Sequence, residues 1–344
     1  MKTLVVTKSK ELELREVPIP KYSSKQALVK TVSCGICNGT DAKLIHHAFK
    51  GVTEDMYPLM LGHEGIGEVI EVGSEVTSFK KGDKVFLPFN DADPELYGDL
   101  NSGWGAFSEY GVVDDPAAYS DGSAPECAYG QQVVPDFIDP VDASMIITLR
   151  EVLSSIKRFG IKENQSIAVF GCGPVGLTFI KFLSLSGVHP IIAFDVIDAK
   201  LEDALAAGAT YVFNSKTVDV TAKVHEICPS GVRYVLDAVG MTALINQAME
   251  LICDTGKICC YGIAPKCQME LDWSKAPYNW QLQFQQFPSK IEEGEATEQI
   301  LTWLKEGKIN LKDYISDYFE FDDILNAFQK LERREISKKG IVRY

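Results

Sequence analysis

This chain is short of positive charge. Its 344 residues carry 34 lysines and arginines against 48 aspartates and glutamates, a formal net charge of −14. Nucleic acid and anionic membrane attract proteins chiefly through basic surface, so neither is an expected partner. Long hydrophobic runs are missing as well, and nothing approaches the roughly 20 apolar residues of a bilayer-spanning helix. The opening residues 1–6 are too short for a signal peptide and read as a strand. Nine cysteines, odd in number and without framework spacing, exclude a disulfide-stapled scaffold. They point instead to thiol or metal roles in a reducing compartment, the cytoplasm. Internal repeats and low-complexity tracts are also lacking. What is there is ordinary globular material, 46% hydrophobic and 24% charged. At about twice the usual single-domain length, it is enough for two cores.

The two halves differ in texture. Up to residue 140 the chain is β-rich, with runs at 2–6, 11–16, 26–33, 66–72 and 84–87 broken by Gly, Pro and Ser. From about residue 150, short apolar runs alternate with helical segments, the pattern of βαβ units on a parallel sheet. The pattern predicts strands at 167–170, 191–194, 211–213, 234–236, 257–261 and 280–284. Helices are predicted at 175–186 and 198–207, the second with Asp198 as its N-cap. Another helix, about 290–306, ends at Gly307, and 309–344 mixes strand and helix. Residues 114–130, rich in Asp, Pro, Ser, Gly and Ala, read as a long surface loop.

Gly171-Cys172-Gly173-Pro174-Val175-Gly176 follows an apolar strand and opens a helix, and the next strand ends in Asp195, 19 residues past Gly176. This is the spacing of a dinucleotide fold. Gly171 permits the tight turn, Gly173 lets the backbone approach a pyrophosphate, and Gly176 lets helix pack on strand. The helix N-terminus then offers unpaired N–H groups to phosphate. A carboxylate at Asp195 accepts hydrogen bonds from ribose hydroxyls and repels a 2′-phosphate, which favours NAD(H). Upstream lie Cys34-Gly-Ile-Cys37-Asn-Gly-Thr40-Asp41 and Gly62-His63-Glu64-Gly65. Thiolate and imidazole are ligands zinc prefers. The residues alone leave open a redox Cys-x-x-Cys pair, buried inert thiols and a core histidine.

The order of these motifs, with Gly-Asp-Lys-Val at 82–85, Gly-Ala-Phe-Ser-Glu-Tyr at 105–110 and the closing Gly340-Ile-Val, resembles the zinc-type alcohol and polyol dehydrogenases of the medium-chain dehydrogenase/reductase superfamily. The resemblance implies an α/β architecture of two domains. A β-rich, GroES-like catalytic domain would comprise 1–149 and 288–344, and a doubly wound, parallel-sheet Rossmann domain binding NAD would comprise 150–287. It implies one catalytic zinc on Cys37 and His63, with Glu64 in or beside the coordination sphere and Thr40 relaying the alcohol proton. Asp237 and the stretch Tyr261-Gly262-Ile263 match positions near the cofactor; as residues alone they are ordinary strand ends. It also implies a homodimer or homotetramer, and strand 280–284 alternates like an unpaired edge.

The chain departs from the family pattern at three places. Asn38-Gly39 separates Cys37 from Thr40, one residue more than usual, and the family's following histidine has no clear match, although His46 and His47 lie nearby. The family's third zinc ligand falls here at about Ile147-Thr148, which leaves Glu64 or Glu151, one helical turn on, to complete the set. Residues 88–104 hold no cysteine, so a structural zinc is not expected. The cysteines at 127, 228, 253, 259, 260 and 267 fit no ligand spacing.

The implied reaction is NAD(H)-linked, zinc-assisted interconversion of a small-molecule alcohol and its carbonyl. Glu64, Asn90, Glu109 and the polar loop 91–104 tilt the expected substrate slightly toward a polyol or sugar. A zinc-free reductase of the same superfamily and a catalytically degenerate NAD-binding subunit are the alternatives.

Overall fold

The computed structural model describes residues 1–262 and 268–344. Ile263 and Cys267 lie outside the described residues. The chain divides into two compact units, Met1–Arg150 with Ser289–Tyr344, and Glu151–Pro288.

The first unit begins with strands β1 (Lys2–Val6), β2 (Leu12–Glu16) and β3 (Gln26–Gly35), helix α1 (Asp41–Ile45), and strands β4 (Leu59–Met60), β5 (Gly65–Val72) and β6 (Lys84–Phe86). Helix α2 (Pro94–Tyr97) and strands β7 (Asn101–Ser102) and β8 (Tyr110–Asp114) follow, and helix α3 (Ser144–Phe159) runs across the division. The second unit holds β9 (Ile167–Phe170), α4 (Pro174–Leu185), β10 (Ile191–Asp195), α5 (Asp198–Ala207), β11 (Tyr211–Asn214), α6 (Val220–Ile227), β12 (Val232–Asp237), α7 (Thr242–Met249), β13 (Ile252–Cys260) and β14 (Trp280–Phe284). The chain then returns to the first unit with α8 (Lys290–Lys305), β15 (Ile315–Glu320), α9 (Ile324–Glu332) and β16 (Lys339–Arg343).

In the first unit, the antiparallel pairing of β3 with β5 and β16 brings the C-terminal strand beside residues 33–35. Alternation along β3 sends Ala27 and Val29 into a core with Val69, Val85 and Val113, while Lys30 stays exposed. A second core gathers Leu4, Val6, Leu44, Tyr57, Phe107, Phe321 and Phe328. The second unit is a parallel sheet in the order β11-β10-β9-β12-β13-β14. Its central strand β9 is buried at all four residues, as a sheet covered on both faces requires. The strand order reverses between β9 and β12, where such folds bind ligands at the strands' carboxyl ends.

Three expectations are corrected. Asp198 is the first helical residue of α5; Ile197 takes the N-cap, and the Asp198 carboxylate accepts from the Asn214 side chain instead. The stretch 114–130 is not a plain surface loop. Asp115 is fully buried, and short 3₁₀ turns occupy Pro116–Ala118 and Glu126–Gly130. The loop 91–104 contains α2, N-capped by Asp93, whose side chain accepts from the backbone N–H groups of Glu95 and Leu96.

Candidate metal and cofactor centre

In the first unit, the structure brings Cys37, His63 and Glu64 together, with a ligand atom of each within 4.8 Å of the others. Cys37 lies just before α1, and His63 and Glu64 precede β5. His63 and Glu64 are buried, and Cys37 is partly exposed. A soft thiol, an imidazole and a carboxylate suit zinc, so the residues present fit that ion.

Asp41 organises two of the three. Its Oδ2 accepts from the Cys37 backbone N–H at 2.9 Å, and its Oδ1 lies 3.4 Å from His63 Nδ1, close enough for charge pairing though out of hydrogen-bond alignment. That contact favours a proton on Nδ1 and leaves Nε2 for a metal. Burial works against a charged His63, but Asp41 and Cys37 outweigh it and raise its pKa well above the usual value.

Glu64 is held by residues distant in sequence. Thr148 on α3 donates its hydroxyl to Oε1 at 3.0 Å, and Lys339 on β16 donates Nζ to Oε1 and Oε2 at 2.9 and 2.8 Å. Burial opposes ionisation of Glu64, yet the Lys339 charge prevails and holds the carboxyl below its usual range. His63 Nε2 is 4.0 Å from Glu64 Oε1. Glu64 therefore stands in the ligand cluster. Glu151 does not, and it opens the second unit.

Other expected residues are placed as follows. Thr40 is buried as the N-cap of α1. Cys34 is fully buried, and burial pushes its thiol far up, as for an inert core cysteine rather than a redox partner. His47 stacks on Tyr57 with ring centroids 3.6 Å apart and faces the Thr7 carbonyl, whereas His46 is exposed. Glu109 accepts from the Lys2 backbone N–H, and the Asn90 amide donates to the carbonyls of Gly105 and Tyr110. Asp41, Thr148 and Lys339 were not read from the sequence as site residues. Asp41 carries a local signal, four residues past Cys37 beside Thr40, and Thr148 carries one from the resemblance, at the family's third-ligand position; Lys339 carries none.

In the second unit, the turn 171–176 joins β9 to α4. Gly171 has φ +95°, and a Cβ on Gly176 would lie 1.9 Å from the Gly171 carbonyl oxygen, so a larger residue at 176 would break the turn. Gly173 faces open space, and Pro174 and Val175 form the first turn of α4, leaving room for a pyrophosphate at the helix N-terminus. The Asp195 carboxylate accepts from the backbone N–H groups of Cys172 (2.7 Å), Val196 (2.7 Å) and Ile197 (3.0 Å). Oδ1 takes two of these and Oδ2 one, which leaves acceptor capacity on Oδ2. Asp237 ties down the turn after β12 by accepting from Val239 and Gly240, and burial raises its pKa against those bonds. A Cβ on Gly262 would lie 2.1 Å from the Gly240 nitrogen, so the two loops meet backbone to backbone.

A parallel sheet with a glycine turn at its switch point, and a β-rich unit carrying a Cys/His/Glu cluster with only the cysteine partly exposed, define a two-domain dehydrogenase. Residues 23–120 match the alcohol dehydrogenase GroES-like domain, and residues 174–287 match the zinc-binding dehydrogenase domain. The uncharacterised zinc-type alcohol dehydrogenase-like protein AdhB of Bacillus subtilis (strain 168) is 31% identical over 72% of this chain and 70% of its own. (R,R)-butanediol dehydrogenase of the same organism is 27% identical over 70% of this chain and 71% of its own. The crystal structure of 2R,3R-butanediol dehydrogenase from Bacillus subtilis superposes with a TM-score of 0.81 at 23% identity, covering 100% of this chain and 99% of that one. The chain belongs to the zinc-type alcohol dehydrogenases of the medium-chain dehydrogenase/reductase superfamily. It is an oxidoreductase of the alcohol–carbonyl class.

Proposed function

We propose that the protein is an NAD(H)-dependent dehydrogenase that oxidises an alcohol at a single zinc held by Cys37 Sγ, His63 Nε2 and a Glu64 carboxylate oxygen. The observation that carries the reading is the convergence of those three donors within 4.8 Å around a pre-organised carboxylate. Bound zinc supplies a Lewis acid for the substrate's hydroxyl oxygen, and bound nicotinamide supplies an acceptor for hydride. The chain's own residues position and protect. Asp41 orients His63, Thr148 and Lys339 fix Glu64, and the Thr40 hydroxyl relays the alcohol proton, accepting it as it gives up its own toward solvent. The first unit thus carries catalysis and the second carries the cofactor. In the second unit, Asp195 Oδ2 accepts from the adenosine ribose and disfavours a 2′-phosphate, while Asp237 and Gly262 shape the loops beside the sheet's carboxyl edge.

The test pairs fluorescence titration with NADH and NADPH against NAD⁺-linked oxidation of alcohols by zinc-loaded protein. Tighter NADH binding and alcohol-dependent reduction of NAD⁺ are expected, with Asp195→Ala narrowing the gap between cofactors. Tighter NADPH binding would refute the cofactor assignment.

The polar residues that tilt the sequence toward a polyol are engaged within the fold: Glu64 with Thr148 and Lys339, Glu109 with Lys2, and Asn90 with two carbonyls. We also propose a homodimer or homotetramer assembled through β14, an edge strand whose Phe284 is 54% exposed. A monomer by light scattering at micromolar concentration would refute this. The eight described cysteines are unpaired, which suits a cytoplasmic setting. No helix of the described residues is long and apolar enough to cross a membrane.

A further inference from the structure

The stretches 91–104 and 114–130, which take no part in the metal or cofactor centre, meet in the first unit at a cavity of about 160 Å³. Asp91, Asp93 and Tyr97 come from the first stretch, and Asp114 and Cys127 from the second. Asn90 lines the same cavity, and none of Cys37, His63 and Glu64 does.

Asn90 is 2% exposed, and only one end of its side-chain amide is paired. Nδ2 donates to the carbonyls of Gly105 and Tyr110 at 2.9 and 2.8 Å, whereas Oδ1 is buried without a partner among the described residues. With Nδ2 turned to those carbonyls, Oδ1 is left to the cavity, and a buried acceptor is costly to leave unpaired. The Tyr97 hydroxyl is buried and unpartnered in the same way. Asp114, itself 8% exposed, accepts on Oδ1 from Gln26 Nε2 and the Tyr119 hydroxyl, which leaves Oδ2 open. Burial and the Asp114 charge raise the pKa of Asp91, and burial with the same two carboxylates pushes the Cys127 thiol up to about 11. Lys21 is the one cation among the described lining residues, and it is exposed. What the wall leaves open is therefore mainly oxygen acceptors and negative charge.

We propose that this cavity binds a small primary ammonium, its N–H groups on Asn90 Oδ1 and the carboxylates of Asp91 and Asp114 and its short carbon chain on the apolar wall. An ammonium brings several donors and no acceptor, the complement of what the wall leaves open. The volume is close to the roughly 150 Å³ of a cavity that holds benzene, so the ligand has about five or six heavy atoms. Phe89, Leu96 and Val112 offer hydrocarbon to such a chain, and the Tyr97 ring offers a face to the charge. A bare divalent cation suits the cavity less. Among the described residues, three metal-ligating side chains converge at Cys37, His63 and Glu64 and not here, and a bare ion makes no use of the apolar wall.

The experiment is calorimetric titration of the zinc-loaded protein with n-butylammonium, tetramethylammonium and calcium. One n-butylammonium per chain is expected, with a Kd of about 1 mM, within the ceiling for so small a ligand. Tetramethylammonium, of the same size but without N–H groups, should bind about tenfold more weakly. Asp91→Asn, which keeps the side chain's shape, should weaken n-butylammonium about tenfold, and Lys21→Met should tighten it about threefold by removing a like charge. A crystal structure of the complex should place the ammonium nitrogen within about 3.2 Å of Asn90 Oδ1. Four results each overturn the proposal: no saturable binding to the wild type, an affinity that Asp91→Asn leaves unchanged, equal binding of tetramethylammonium, or tighter binding of calcium. The dehydrogenase reading would stand in every case, since the cavity holds none of its metal ligands.

Discussion

Lys339 Nζ stands 2.9 and 2.8 Å from the two carboxylate oxygens of Glu64, with both side chains buried and 275 residues apart in the chain. The last strand thus supplies a cation to the centre of the first unit. With Thr148 on Oε1 and Lys339 on both oxygens, Oε1 has its lone pairs filled and Oε2 keeps one.

Lys339→Met should destabilise the metal-free protein by about 3–5 kcal/mol, because it leaves an uncompensated buried carboxylate. Adding Glu64→Gln should recover most of that loss. Denaturant unfolding of the two variants in chelator checks the prediction, and equal stability of single and double variants would contradict it.

Thr148 stands on α3 and donates its hydroxyl to the Glu64 carboxylate. Thr148→Val should weaken zinc binding by about 10–100-fold, the usual cost of losing a group that orients a ligand. Thr148→Cys should tighten it by adding a thiolate. Competition against a chromophoric chelator reads both directly.

Asp115, fully buried, accepts from the backbones of Thr77, Ser78 and Ala117 and from the Thr77 and Ser78 hydroxyls. Burial opposes its charge, but these donors hold its pKa below the usual carboxylate value of 3.8. A depressed folded-state pKa gives stability that is complete above the unfolded value and lost as pH falls through the folded one. Asp115→Asn should therefore lower Tm at pH 7, with the difference from wild type shrinking below about pH 4. Calorimetry across that range is the check.

Gly176→Ala places a methyl group where the Gly171 carbonyl oxygen lies 1.9 Å away. The phosphate turn must open, so NADH affinity should fall by more than about tenfold, the loss of one or two charge-assisted contacts. Zinc content should be unchanged, since the cluster belongs to the other unit. Parallel fluorescence titration and metal analysis test both halves of the claim.

The legible parts of this protein were those fixed by local rules. Strands β9 and β14 match their sequence limits because an apolar run ends abruptly at Gly171 in one case and at polar residues after Phe284 in the other. The glycine turn was readable because each glycine answers a separate steric demand. Glu64 was half legible: its adjacency to His63 placed it near the metal, but its fixation by Thr148 and Lys339 depends on contacts 84 and 275 residues away. Helix α2 had an unused local signal, Asp93 before Pro94, the usual N-cap and first-turn pair. Asp198 is not the cap because the Ile197 carbonyl already accepts from the Lys200 N–H and starts the helix, while the Asp198 carboxylate is taken by the Asn214 amide.

The most direct measurement of the central claim is X-ray absorption at the zinc edge of the loaded protein. Ligation by Cys37, His63 and Glu64 predicts one sulfur at about 2.3 Å, with the remaining ligands nitrogen or oxygen at about 2.0–2.2 Å. The single sulfur contribution should vanish in Cys37→Ser. Two sulfurs in the wild type, or a coordination shell unchanged in Glu64→Gln, would contradict the account.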